Sequence, residues 1–502
     1  MIHDELKYSV CEALGHVPTR DQERAVDEFC HFLLDRGDHV AMVLRGSAGT
    51  GKTTVAAAIV RVLTALRQKL VLLAPTGRAA KVFSLYAGQA AFTIHRRIYR
   101  QRTAGDLASS FSLNDNLYRD TLFVVDEASM IAASVQGDTF GSGSLLDDLV
   151  RYVYSGQNCR MLLIGDKAQL PPVGEEEAPA LTTAVLQGYG LRTYECDLRE
   201  VLRQSQESGI LCNATAVRQL ITHNEMTQLP RMQLRGFADI TVVPGDELIE
   251  SLASSYSRVG VDETIVITRS NKRCNIYNQG IRRTVLDRDD ELCRGDQLMV
   301  VRNNYFWGQD ARGKEQGARG KNEEQGARGK NDEQGARGKG QESGPAFLAN
   351  GDRCVVQRVR NVREFYGFRF ADVTLQMPDY EDYELQVTAL LDALTSEAPA
   401  LTREQQDLLY NKVMEDYADT PLKSERIKKL KGDAYYNALQ IKFGYAVTCH
   451  KAQGGQWSHV YIDQGYMTDD MLSPDYVHWL YTALTRATEH VFLVNWPGTQ
   501  IA

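Results

Sequence analysis

The chain reads as an α/β protein built on parallel sheets, interrupted by a strand-rich insertion. Three observations predict this. First, short apolar runs at Val40–Leu44, Leu70–Leu73, Leu122–Val125 and Arg160–Ile164 alternate with stretches of helical spacing. Continuous apolar runs of that length are what strands buried on both faces look like. Second, each run ends in a polar or glycine-containing turn, and sites in parallel sheets lie at the carboxyl ends of the strands. Third, the pattern recurs later, at Thr264–Thr268 and again over Leu439–Thr448 and Val460–Asp463, after a long break.

The 502 residues are enough for two to four domains, at about 100–200 residues each. Hydrophobic residues make up 43% and charged ones 24%, as in an ordinary globular chain. A formal net charge of -8 excludes a globally basic nucleic-acid coat. It leaves room for a local basic groove, which is all that a protein releasing its track at every step requires. The nine cysteines form no C-x-x-C pair, so zinc or iron–sulfur ligation is not expected. Scattered thiols suit a reducing cytosol. The Met1-Ile-His-Asp start lacks a signal pattern, and no stretch reaches the roughly 18 apolar residues of a membrane span. A cytoplasmic location without membrane contact is the expectation.

The chemistry begins at Gly46-Ser47-Ala48-Gly49-Thr50-Gly51-Lys52-Thr53, followed by Thr54 and a helical run to Leu66. Glycines let backbone N–H groups face phosphates, and the helix N-terminus adds a favourable dipole. Lys52 is placed for the β/γ-phosphates of ATP, and Thr53 for Mg²⁺. The next buried run ends in Asp126-Glu127, a carboxylate pair costly to hold at a strand end without a function. Asp126 suits the Mg²⁺ shell, and Glu127 suits the attacking water. A third run ends in Gly165-Asp166-Lys-Ala-Gln169-Leu170-Pro171-Pro172, where Gln169 is placed to sense the γ-phosphate. Hydrolysis builds negative charge on the phosphoryl group, and arginines offset it. Arg203 and Arg486 are the two candidates.

A second α/β region is expected from about residue 191 to 294 and again from 437 to 502, with the first domain spanning 1–190. Residues 295–436 are inserted. They hold two strand-rich pieces, Gln297–Arg302 and Cys354–Gln376, which suit a small barrel. A helical segment is expected over 385–430 from the spacing of Leu385, Leu390, Leu391 and Leu394. Between them, within 308–344, Ala318–Gly326 and Ala327–Gly335 repeat almost identically, differing only at Glu323 and Asp332. From Ala311 to Gly340 this tract carries eight Lys/Arg and five Asp/Glu, and no hydrophobic residue beyond alanine. It reads as a flexible surface loop, with a weak electrostatic tether for nucleic acid as the sharper alternative.

In order along the chain, these motifs resemble those of superfamily 1 helicases, in the branch of RecD and the phage helicase Dda. Pro18-Thr-Arg-Asp-Gln22 resembles the adenine-reading Q motif. Ala74-Pro75-Thr76-Gly-Arg78 and Thr93-Ile-His95 resemble first-domain DNA-contact motifs. The Leu170-Pro-Pro turn is the form that separates this branch from that of UvrD and Rep. Leu202-Arg203-Gln204 and Tyr481-Thr-Ala-Leu-Thr-Arg486 resemble the motifs that carry arginine fingers. Tyr445-Ala-Val-Thr448-Cys-His450-Lys451-Ala-Gln453-Gly454 resembles the second-domain motif for DNA and nucleotide. The family has a serine where Ala452 stands, and a short loop where the repeat lies.

The resemblance implies two RecA-like P-loop domains and an accessory domain with an SH3-like barrel. It implies ATP and Mg²⁺ as cofactors, with Gln22 and Gly454 beside the P-loop at the nucleotide. It implies single-stranded DNA and junctions as partners, met by Pro75, Thr76, Arg78, Thr93, His95, Thr268, Thr448, His450 and Lys451. A pin is expected over residues 96–118, with Phe111 as its stacking tip or, equally, a loop anchor. The activity implied is ATP-dependent unwinding with 5′ to 3′ translocation, by a monomer working beside repair or recombination proteins. Alternatives are a translocase that needs partner subunits to unwind, and an ATP-gated scaffold without motor action. Deleting Ala311–Gly340 is expected to leave ATP turnover intact; a large loss of turnover would make the repeat structural.

Overall fold

The computed structural model describes residues 2–101, 111–134, 141–200, 207–223, 228–304, 306–308 and 347–502. The repeat tract, Arg203 and most of the pin loop lie outside these. The described chain forms two compact units, Met1–Val285 with Tyr445–Ala502, and Leu286–Gly444.

In the first unit, β1 (Val40–Gly46), β2 (Lys69–Ala74), β3 (Ala91–Thr93), β6 (Thr121–Val125), β7 (Arg160–Gly165) and β8 (Arg192–Leu198) build one sheet. Its order is β3-β2-β6-β7-β1-β8, with every pairing parallel. The four strands predicted from the first apolar runs are all here, each longer by one or two residues. The central ones are buried along almost their whole length, because helices cover both faces. One such face holds Phe29 and Phe32 of helix Arg20–Leu34, Ile59 of helix Lys52–Ala65 and Phe83 of helix Gly77–Ala87. Between β3 and β6, the short strands β4 (Tyr99–Gln101) and β5 (Phe111–Leu113) pair antiparallel, within the span where a pin is expected.

One boundary moves. The segment after residue 191, expected to open the second domain, is β8, which pairs along its length with β1. Its alternating exposure, with Cys196 and Leu198 inside, marks an edge strand rather than a new sheet.

A second parallel sheet in the same unit has the order β16-β10-β17-β18-β9. It comprises β9 (Ile240–Val243), β10 (Thr264–Thr268), β16 (Ala446–Thr448), β17 (Trp457–Asp463) and β18 (Ala487–Val494). Helices Gly209–His223 and Pro474–Leu484 pack on it.

The other unit is a closed barrel of β11 (Gln297–Val300), β12 (Arg353–Phe365), β13 (Phe368–Met377), β14 (Tyr383–Leu390) and β15 (Leu439–Phe443). Two expectations change here. Residues 385–390 are strand, not helix: β14 pairs with β13 from Tyr383 to Leu390. Leu385, Val387 and Ala389 face inward at period two, and that alternation outweighs the helix-like spacing of the leucines. The helices come later, at Arg403–Glu415 and Lys423–Lys431, the first started by a Thr402/Gln405 capping box. The second change is at Leu439–Phe443, expected in the second sheet. It closes the barrel against β11 and β14, and the sheet resumes only at β16.

β12 and β13 join through Tyr366-Gly367, both at positive φ (57° and 78°), the two-residue turn that suits the twist of a hairpin. Phe370, fully buried, lies in a cluster with Leu390, Leu401, Leu409, Val413 and Leu430, which ties both late helices to the barrel wall. Replacing Phe370 with Ala should cost about 3–5 kcal/mol. The expected readout is a lower urea midpoint for the loss of barrel structure; an unchanged midpoint would place the stability of this unit elsewhere.

Candidate nucleotide-binding site

The loop after β1 turns into helix Lys52–Ala65 through Gly51, in left-handed backbone at φ 81°. Gly46 is required by space. A Cβ there would stand 2.7 Å from both Lys52 Cγ and Thr50 Oγ1, and 3.0 Å from Leu198 Cβ. Lys52 Nζ donates to the Ser47 carbonyl at 3.3 Å, and the Thr50 hydroxyl donates to the same oxygen at 2.8 Å. Thr53 and Thr54 sit half-buried in the first helical turn.

Gln22 lies against this loop, fully buried. Its Oε1 accepts the Thr19 N–H in a capping box, and its Nε2 donates to the Thr50 carbonyl at 3.3 Å. Both ends of the amide are thereby engaged. Its work in this conformation is to brace the P-loop from helix Arg20–Leu34, rather than to offer an open amide to a base.

At the end of β6, Asp126 Oδ1 accepts the Glu127 N–H at 2.9 Å. Burial, and then the charge of Glu127, push the Asp126 carboxyl up to about 7, with Lys52 acting in the opposite sense. Glu127 has φ 51° and ψ 38°, left-handed backbone that a non-glycine residue adopts at a cost. At the end of β7, Asp166 and Gln169 are buried. Among the described residues, neither Gln169 Oε1 nor the buried hydroxyl of Ser129 has a hydrogen-bond partner. Buried acceptors left open in this way are uncommon and mark places for a ligand or a water.

The second sheet's helices and loops reach this set directly. Tyr481 accepts the Ala48 N–H at 2.9 Å and donates to Asp166 Oδ2 at 2.6 Å. Burial and Asp166 raise its phenol well above the ordinary value. Leu170 donates its N–H to Thr482 Oγ1 at 2.8 Å and accepts from Gln453 Nε2 at 2.6 Å. His478 Nδ1 lies 2.9 Å from the Ala168 carbonyl. Arg218, on helix Gly209–His223, donates to Ser47 Oγ at 2.5 Å. Sequence reasoning did not single out these residues individually. Tyr481, Thr482 and Gln453 stand inside motifs that had been quoted, so a signal for them existed. Arg218 stands in no motif.

The two expected arginine fingers are placed unequally. Arg203 is outside the described residues. Arg486 is buried and turned into its own domain, donating to the Thr482 and Gly455 carbonyls at 3.1 and 3.2 Å and to Thr485 Oγ1 at 3.3 Å. Gly454 brings its loop close to the first domain: a Cβ there would be 3.0 Å from Thr76 Oγ1.

The expected DNA contacts are scattered in their present duties. Thr76 and Thr93 cap helices, accepting from Ala79 and Arg96 N–H groups, and Pro75 beside Thr76 is half-buried. Arg78 donates to the Gln456 carbonyl and stacks on Trp457, its guanidinium carbon 4.1 Å from the ring centre. It thus ties the two sheets together, and its charge is partly used in doing so. Burial holds the His95 imidazole down to about 4, so it meets any phosphate as a neutral group. Thr268 is fully buried and donates to the Ser270 carbonyl at 3.0 Å, so in this conformation it faces no ligand. A strand-end threonine inside an all-buried strand turns inward to satisfy its own loop. Thr448, His450 and Lys451 stand together at the start of helix Cys449–Ala452, with His450 exposed. Phe111 contributes a backbone pair to Gln101, and its side chain lies outside the description.

Away from this site, His3, Asp27 and His31 bring potential metal-ligand atoms within 4.8 Å of one another. Lys7 Nζ, 3.0 Å from Asp27, already supplies the cation there. No helix among the described residues is long and apolar enough to cross a membrane.

A family described as AAA domain matches residues 18–237, and one described as UvrD-like helicase C-terminal domain matches residues 443–494. The ATP-dependent RecD2 DNA helicase of Deinococcus radiodurans is 33% identical over 158 residues, covering 31% of this chain and 20% of that protein. The ATP-dependent DNA helicase Dda of Enterobacteria phage T4 is 25% identical over 293 residues, covering 57% of this chain and 62% of its own length. The chain therefore spans less than two thirds of either. An uncharacterised protein of Acanthamoeba polyphaga mimivirus is 21% identical and matches nearly end to end, over 94% of this chain and 98% of that protein. Among solved structures, the Pif1 helicase from Bacteroides in complex with ADP-AlF3 and ssDNA aligns over 97% of this chain and 94% of that one, at 14% identity and a TM-score of 0.45. Two parallel sheets in one chain, a P-loop bonded to the second of them, and family matches at residues 18–237 and 443–494 make the chain similar to ATP-dependent DNA helicases such as RecD2 and Dda.

Proposed function

We propose that the chain hydrolyses ATP between its two RecA-like sheets and uses the cycle to move along single-stranded DNA, 5′ to 3′, separating duplex ahead of it. One observation carries this reading. The loop that holds Gln169 continues into Leu170, whose N–H and carbonyl are both bonded to the second sheet's domain. A change at the terminal phosphate is thereby passed to the other domain through two hydrogen bonds.

The steps follow from the residues. The P-loop amides and Lys52 take the phosphates. Glu127, held in left-handed backbone at the end of β6, orients the attacking water and receives its proton. Gln169 registers whether the terminal phosphate is present by donating its amide N–H to it, and its open buried Oε1 is left to accept from the attacking water. Thr53 and Asp126 would hold Mg²⁺. The fit is in the donor set: a buried carboxylate with its proton affinity raised to about 7 has too little positive charge around it. Bound there, the ion would screen phosphate charge and supply part of the electrostatic stabilisation.

Closing and opening of the cleft would alternate the grip of first-domain and second-domain groups on the backbone of the strand. Thr448, His450 and Lys451 are the second-domain candidates, and Thr76 and the neutral His95 the first-domain ones. Contacts of this kind read phosphate and sugar, so binding should tolerate any sequence and weaken with salt. Direction and the preference for DNA rest on the branch of the family. The repair or recombination role, a monomeric working unit and a cytoplasmic setting rest on the same ground.

Lys52→Ala and Glu127→Gln should each lower DNA-stimulated ATP turnover by at least about a hundredfold, the scale of losing one aimed charge in a transition state. Turnover retained in either variant would refute the role given to that residue. In strand displacement, duplexes with a 5′ tail should be unwound and those with a 3′ tail should not. Displacement only from 3′ tails would reverse the polarity. ATP turnover without displacement on either tail would leave a translocase that depends on partner subunits.

A further inference from the structure

Arg218 has a position that no motif explains. It projects from helix Gly209–His223, which packs against helix Pro474–Leu484, the helix that carries Tyr481 and Thr482. Its Nη1 donates to Ser47 Oγ at 2.5 Å. Ser47 is the second residue of the P-loop, and its carbonyl is the oxygen that Lys52 Nζ approaches to 3.3 Å. A guanidinium and an ammonium therefore flank one P-loop residue, the guanidinium coming from the second sheet's domain.

No carboxylate among the described residues forms an ion pair with Arg218, whereas Arg45, Arg273 and Arg363 pair with Asp197, Asp463 and Asp372. A guanidinium presents five N–H donors in a fixed fork, and the hydrogen bond to Ser47 uses one of them. Two like charges beside a loop built to cradle phosphate are unfavourable together unless a polyanion lies between them. Arg486 is turned away into its own carbonyls.

We propose that Arg218 is a catalytic arginine of the second domain that contacts the terminal phosphate of bound ATP, with Ser47 Oγ aiming its fork at the P-loop. The contact forms with a triphosphate and is lost with a diphosphate. Arg218 therefore stabilises charge growing on the transferred phosphoryl group, and it reports the nucleotide state to the helix that packs against Tyr481 and Thr482. This rests on the reading of the site as an ATPase.

The test uses the full chain with single-stranded DNA. ATP turnover is measured beside the binding of fluorescent ADP and of a non-hydrolysable ATP analogue, for the wild type, Arg218→Ala and Arg218→Gln. Glutamine keeps a donor for Ser47 and removes the charge, so it guards against a variant that merely fails to fold. Both variants should lose about a hundredfold in kcat. Both should bind the ATP analogue about tenfold more weakly, while ADP affinity stays within about twofold of wild type. Wild-type kcat in Arg218→Gln, or equal weakening of ADP and of the ATP analogue, would overturn the proposal. Absence of turnover in the wild type would instead defeat the ATPase reading. The contrast between the two nucleotides in binding would still decide the role of Arg218.

Discussion

Leu170 is held at both ends of its peptide by the other domain: its N–H by Thr482 Oγ1 and its carbonyl by Gln453 Nε2. The organisation of the first unit depends on this bracket. The Asp166–Gln169 loop leaves the end of β7 beside the P-loop strand β1 and would otherwise be an independent surface turn. With Leu170 held, and with Tyr481 joined both to Asp166 and to Ala48, the nucleotide loops of one sheet share hydrogen bonds with the last helix of the other. Pro171 and Pro172 follow at once, both buried, and their fixed φ stiffens the exit from the bracket.

A second tie lies farther from the phosphates. Arg78 stacks on the buried Trp457 and bonds the Gln456 carbonyl, a contact worth about 1–2 kcal/mol where partly desolvated. Gly454 and Gly455 make this approach possible, since a side chain at either would strike Thr76 or Arg78 and the indole. The glycines after Gln453 are thus explained by packing between domains as much as by any ligand. The arginine expected at DNA is, in this conformation, part of the contact between the two sheets.

What could be read from sequence follows burial. Strands covered on both faces betray themselves as unbroken apolar runs, so β1, β2, β6, β7 and β10 were legible. The P-loop and the Asp126-Glu127 pair were legible because their chemistry restricts residue type. Strands with one wet face were harder. β8 alternates at a sheet edge, and β14 offers only Leu385, Val387 and Ala389 as a period-two signal; β15, though buried throughout, reads as continuous with β16 across Gly444. Side chains that act across the cleft carry the weakest signal. Arg218 is one arginine in an ordinary helix, and its closeness to Ser47 comes from two segments 171 residues apart. Thr268 and Gln22 show the converse: their motif positions were visible, but not the buried bonds that occupy them.

Glu127 stands in backbone that costs a non-glycine residue about 1–3 kcal/mol, beside a carboxylate whose burial is itself unfavourable. Asparagine or glycine would sit there more comfortably. Variants chosen for thermal tolerance alone would therefore drift toward those residues and lose the carboxylate proposed to orient water. The fold gives up stability at this residue, and any effort to harden the protein for use must leave it strained.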